Sequence, residues 1–219
     1  MTAPQKRAEL VLDHIVIGCA SLAQGVAWAR AQLGIAVPQG GQHPRLGTHN
    51  CLMRIGEGFF LELIAIDPEA PKPSRPRWFG LDDPRQQARI SERPCVLAWV
   101  CGTPDIAAAL ATAPELGAAV EMTRGDLLWQ ISLRDDGALP EGGTLPQLLE
   151  WRGGSPAARI PDLGVRLDRL TLRHPQPVLL AGKLDEMGAS HLASVKATSG
   201  EPEVVVTLVT PRGDAVTLR

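Results

Sequence analysis

Along the chain, strand-like apolar patterning gives way to helical spacing at three places. LVLDHIVIGCASL, from Leu10, has the period of two expected of a strand, and Ser21 is a natural helix N-cap at its end. Leu22, Val26, Ala29 and Leu33 then fall on one helical face, and Gly34 supplies the stop. VRLDRLTLRHPQP, from Val165, repeats the same L-D-x-[IL]-x-[IL] frame. There Pro177 suits a first helical turn, Leu180, Leu184 and Met187 form the stripe, and Gly188 closes it. Between them PCVLAWVCGT, from Pro94, reads as a strand with Thr103 as the cap. Ile106, Leu110 and Ala113 make its helical face, and Leu116-Gly117 ends it.

Strands set off by turn signals follow each predicted helix. They are Thr48 to Ile55 and Phe59 to Ile66 in the first copy, with a turn at Gly56-Glu57-Gly58. The second copy has Ala119 to Arg124, Leu127 to Leu133 and Leu145 to Trp151. The third has His191 to Ala197, Val204 to Thr210 and Ala215 to Leu218. Such repetition predicts an α+β fold of tandem βαβββ modules, their mixed sheet forming a cup with helices on its convex side. The expected units are residues 1–93, including a crossover, then 94–160 and 161–219. The crossover, Asp67 to Pro94, is too rich in proline for a regular element, and Trp78-Phe79 is read chiefly as pinning it to the body.

Composition narrows the partners. A net charge of −2 gives no electrostatic footprint for nucleic acid or an anionic membrane. The polar start MTAPQKRAEL lacks a leader signature, and no apolar run is long enough to span a bilayer, so a cytoplasmic location is expected. Cys19, Cys51, Cys95 and Cys101 form no C-x-x-C pair and read as buried, reduced thiols.

The candidate chemistry lies where ionisable groups interrupt apolar strands. Glu62 sits in FFLELIAI, His14 in LDHIVIGC and Glu150 in LPQLLEW; setting FFLEL against QLLEW gives both glutamates one module position. Alternate residues of a curved sheet face its hollow, so the three could converge there if the first two modules pair. One imidazole and two carboxylates would suit Zn²⁺, Mn²⁺, Fe²⁺ or Ni²⁺, with open positions for two adjacent substrate oxygens. A glutamate of the set could move the proton. A second constellation, GGQHPRLGTHN, offers His43, Thr48, His49 and Asn50 at the head of a strand. His49 is a further candidate for catalysis, and His43, Thr48 and Asn50 for substrate binding.

LDHIVIGCASLAQGVAWARAQLG, GGQHPRLGTHNCLMRIGEGFFLELIAIDPEAP and LPQLLEW resemble the glyoxalase-like branch of the vicinal oxygen chelate superfamily, the glyoxalase, bleomycin-resistance and dioxygenase group. The resemblance implies paired βαβββ modules around a cup, with metal ligands on the first and last strands of each. By position His14, Glu62 and Glu150 match. Val96 stands where the fourth ligand would be, and Arg169 and Thr217 leave the third unit without a ligand set. His49 or Gln147 could substitute, or the site could be metal-free. Two functions follow, together with a third option of a purely structural or regulatory module. One is an isomerase, lyase or dioxygenase assisted by a divalent metal. The other is a metal-free protein that sequesters a small molecule among Trp99, Trp129 and Trp151. The third unit could pack beside the cup or pair with a partner chain in a homodimer.

Overall fold

The computed structural model describes residues 10–219; residues 1–9, on which the expectation of no leader rests, lie outside them. The first module runs β1 (Val11–Gly18), α1 (Leu22–Leu33), β2 (Gln39–His43), β3 (Thr48–Gly56) and β4 (Phe59–Ile66). Ser21 caps α1 through a bond accepted from the Gln24 N–H, and Gly34 ends it at φ 71°, a conformation glycine adopts without strain. The second module runs β5 (Cys95–Gly102), α3 (Ile106–Leu110), β6 (Ala118–Arg124), β7 (Leu127–Leu133) and β8 (Gln147–Arg152). Between the modules lies α2 (Pro84–Glu92).

The two modules share one strand order. They join into a single eight-stranded sheet, β2-β3-β4-β1-β5-β8-β7-β6, through antiparallel pairing of β1 with β5. In each, the first strand runs parallel to the last, β1 with β4 and β5 with β8. The sheet curls into a half-barrel, as expected from the repeat. Its convex side carries the main core, where Ile15, Ile17, Leu61, Leu63 and Trp99 are buried with Ala29 and Leu33 of α1. Val16, Ile64, Trp129, Ile131 and Leu149 line the concave side.

The third unit follows the expected element order: β9 (Arg166–His174), α4 (Pro177–Met187), β10 (Ser194–Ala197), β11 (Glu203–Val209) and β12 (Ala215–Leu218). Its pairing differs. The order is β10-β9-β11-β12, so the parallel neighbour of the opening strand is the first strand after the helix, not the last. It forms a separate sheet whose Leu170, Leu172, Val204 and Val206 join the convex core. A hydrophobic pattern sets which segments become strands, but leaves their order in the sheet open.

Three local expectations are corrected. The crossover holds a helix, because Asp83 caps it and Pro84 occupies its first turn, where the missing N–H costs nothing. Asp105, not Thr103, caps α3 by accepting from the Ala108 N–H, and that helix is five residues long. Part of the glycine-rich segment read as a turn is β2, an edge strand paired with β3.

Candidate functional site

The pleat decides which side chains enter the cup. His14 and Val16 of β1, Phe60 and Glu62 of β4, and Asn50 and Leu52 of β3 share the concave face. Trp129 and Ile131 of β7 and Leu149 and Trp151 of β8 face them from the second module. Trp78 and Phe79 close one side from the crossover, both buried. The hollow has about 400 Å³ of free space, counting its open mouth.

Its polar floor is an ordered chain. Asp13 Oδ1 lies 2.7 Å from His14 Nδ1, and its Oδ2 accepts from Trp151 Nε1 at 2.7 Å, tying β1 to β8 across β5. His14 stacks on Phe60, with ring centroids 4.8 Å apart. With Nδ1–H committed to Asp13, Nε2 is the ring atom offered to the cup. It lies 3.6 Å from Glu62 Oε2, beyond a hydrogen bond, so a ligand atom can engage both. Glu62 Oε1 accepts from Asn50 Nδ2 at 2.6 Å. Asn50 Oδ1 in turn accepts from the Gly41 N–H at 2.8 Å and faces an Arg124 nitrogen at 3.4 Å.

His43 stands behind this floor as a neutral acceptor. Its Nδ1 meets Thr48 Oγ1 at 3.1 Å, an oxygen that also accepts from Trp78 Nε1 at 3.2 Å. Its Nε2 faces Asn50 Nδ2 and the Arg124 guanidinium, both at 3.4 Å. Burial first, then the charge of Arg124 and the nearby His14 and His49, pushes its pKa from 6.5 down to about 3. The unfolded chain takes up this proton near pH 6.5, the folded one only near 3. The group's contribution to stability is therefore complete above 6.5 and is lost as pH falls toward 3, by up to about 1.4 kcal/mol per pH unit. His43→Gln is expected to flatten that slope, measured as urea unfolding at pH 7 and pH 5. An unchanged slope would contradict the neutral imidazole.

Of the residues singled out by sequence, His14, Glu62, His43, Asn50 and Trp129 meet in the cup, with Thr48 supporting His43. Three do not. Glu150 faces the convex side, where its Oε2 accepts from the Ile106 N–H at the start of α3 and Arg152 lies 2.9 Å from Oε1. Aligning the two glutamates by motif misses the phase of the pleat, in which an odd shift reverses the face. His49 alternates outward from Asn50 and sits 3.9 Å from Asp67. Trp99 is wholly buried in the convex core, donating to the Thr144 carbonyl at 3.1 Å. Glu150→Gln is therefore expected to lower stability by about 1 kcal/mol or less, the range of a half-exposed ion pair. Urea unfolding reads that change, and quenching of tryptophan fluorescence by a cup ligand should be unaltered.

Sequence reasoning missed Asp13 and Arg124, and it placed the folding of Trp78 and Phe79 over a pocket rim second to a pinning role. Asp13 stood in view beside His14 within the repeated L-D frame. Arg124 ends an edge strand, where an arginine carries no distinguishing signal. The cysteines are free and buried, and burial pushes the Cys19 thiol up to about 12, which suits packing and not nucleophilic attack.

The ligand set for a divalent metal does not assemble. His14 Nε2 and Glu62 Oε2 face the cup, but Glu150 leaves it, and the next nitrogen, His43 Nε2, has a guanidinium beside it. Among the described residues no three His, Cys, Asp or Glu side chains are grouped to hold a metal ion. The donors present fall short of the three protein ligands usual in a catalytic site.

Two βαβββ modules of one strand order, joined by their first strands over a shared hollow, define the vicinal oxygen chelate fold. The chain belongs to the glyoxalase-like domain family, whose model matches residues 12–188, from β1 to the end of α4. It is similar to a hypothetical protein from Staphylococcus aureus at 14% identity and a TM-score of 0.59, over 95% of this chain and 84% of that one. A methylmalonyl-CoA epimerase from Streptomyces coelicolor is 19% identical, covering 68% of this chain and 98% of its own, with a TM-score of 0.40. The Mycobacterium tuberculosis methylmalonyl-CoA epimerase is 17% identical, with coverages of 73% and 97% and a TM-score of 0.41. These likenesses bear on fold alone. No curated protein matches the chain. Among the described residues no helix is long and apolar enough to cross a membrane.

Proposed function

We propose that the cup is the active site of an acid–base enzyme, an isomerase or lyase, acting on a small carbonyl compound. Glu62 takes a proton from the carbon beside the carbonyl, and the electron pair moves onto the carbonyl oxygen as an enolate. His14, its Nδ1–H held by Asp13 and a second proton carried on Nε2, delivers that Nε2 proton in the second half-reaction, either to carbon or to a departing group. Glu62 and His14 then return to their starting states by proton exchange with water. The supporting observation is the pair itself. Glu62 Oε2 and His14 Nε2 sit 3.6 Å apart, unspent on each other, each fixed from behind by Asn50 or Asp13. Two catalytic groups held this way need no reorganisation when substrate arrives. The oxygenase chemistry expected from sequence would require a metal held by donors that this cup does not bring together.

A second reading is a binding protein, favoured by one observation: Trp78, Phe79, Trp129 and Trp151 surround the polar floor. One experiment separates the two. Small 2-oxo compounds and aldehydes are incubated with the protein in D₂O, and loss of the C–H signal is followed by proton NMR. Enzyme-dependent exchange is expected for at least one compound that also quenches tryptophan fluorescence. Quenching without exchange throughout the series would leave the binding reading in its place.

A further inference from the structure

We infer, on the reading that the cup is the ligand site, that its ligand carries a carboxylate and that the Arg124 guanidinium binds it. β2 and β6 are the two edges of the curled sheet, and Arg124 closes the gap between them. It ends β6, and its side chain lies across Gly41 of β2. A Cβ on Gly41 would stand 2.8 Å from Arg124 Cδ and 3.2 Å from Nε, so any larger residue there would make the arginine shift from this path. The guanidinium lines both the cup and the external groove formed by Gly40, Gly41, Pro156 and Arg159. It therefore stands at the boundary between the cup and that groove.

Among the described residues, Arg124 has no carboxylate in ion-pair contact. The contacts it makes are long and to neutral groups, His43 Nε2 and Asn50 Oδ1 at 3.4 Å. The arginine nearest to it is already neutralised, Arg159 by Asp126 at 2.9 Å. Glu62 is near enough to favour its charge, while burial works against it. A partly desolvated guanidinium with spare donors is a fork for a planar oxyanion, and carboxylate matches it two bonds to two. A phosphate dianion would call for a second unpaired cation, and among the described residues no other arginine or lysine lines the cup. An anchored carboxylate would place the neighbouring carbonyl carbon over Glu62 and His14, which narrows the substrate class to oxo acids and their relatives.

The test uses tryptophan fluorescence of the whole chain, titrated with pyruvate, isobutyrate and phenylacetate, each against its neutral amide. At least one carboxylate is expected to bind more tightly than its amide. Arg124→Met should weaken that carboxylate about 10- to 100-fold and leave the amide unchanged, as loss of a charge-assisted pair implies. Arg124→Lys should recover only part, because the ammonium lacks the planar fork. Glu62→Gln should bind the carboxylate at least as tightly while losing C–H exchange, so failure of proton transfer is distinguishable from failure of the anion site. Equal affinity for every acid and its amide, an Arg124→Met variant that binds as the parent does, or tighter binding of inorganic phosphate would each overturn the assignment.

Discussion

Replacing Glu62 with glutamine is expected to lower the rate of C–H exchange by about 10²- to 10⁴-fold, the range seen when a positioned proton acceptor is removed. The change is nearly isosteric, so most of the surrounding contacts survive. Asn50 Nδ2 can still donate to the remaining carbonyl oxygen, which it now meets at 2.6 Å. What disappears is a basic oxygen facing the hollow, 3.6 Å from His14 Nε2. The loss should fall on the rate of exchange and not on ligand affinity. Fluorescence titration and NMR on one preparation check both, and urea unfolding confirms that the fold is intact. A variant that exchanged at the parental rate would remove Glu62 from the chemistry.

The largest effect on stability is expected at Trp99. It is fully buried on the convex side and its Nε1 donates to the Thr144 carbonyl at 3.1 Å. Thr144 precedes β8, so this one side chain ties the middle of β5 to the approach of a neighbouring strand. Trp99→Ala removes that bond and leaves a cavity in the core shared by both sheets, with an expected cost of about 3–5 kcal/mol. That is a large share of the marginal stability of a typical domain, about 5–15 kcal/mol. Urea unfolding should show the midpoint falling steeply, with quenching by a cup ligand retained wherever the variant is still folded. Normal stability together with lost quenching would return Trp99 to the ligand site.

Much of this architecture could be read from the chain because both its periods are strong. Short apolar runs in LDHIVIGC and FFLELIAI, together with Ser21 and Gly34 around α1, leave few other ways to fold the first module. The resemblance placed the second module beside it. The cup's polar residues were legible for a different reason: His14 and Glu62 interrupt runs that are otherwise apolar, and an ionisable group there demands a purpose. Glu150 met the same criterion and was misplaced. Its motif identifies the strand, but the face depends on register, which no single strand contains. Arg124 was invisible for the complementary reason. Its significance arises from the approach of β6 to β2, two edges separated by nearly the whole sheet, and from a glycine opposite that leaves it room. The third unit shows the same limit at larger scale, with matching element order and different pairing.

Glu62 and Glu150 therefore offer a direct comparison, since one motif carries both and the pleat sends them to opposite faces. The deciding measurement is the C–H exchange rate of Glu62→Gln and Glu150→Gln, side by side under one set of conditions. Chemistry confined to the cup predicts that the first variant loses exchange and the second keeps it. Equal loss in both would mean that the two carboxylates act together, contradicting the arrangement described for the site.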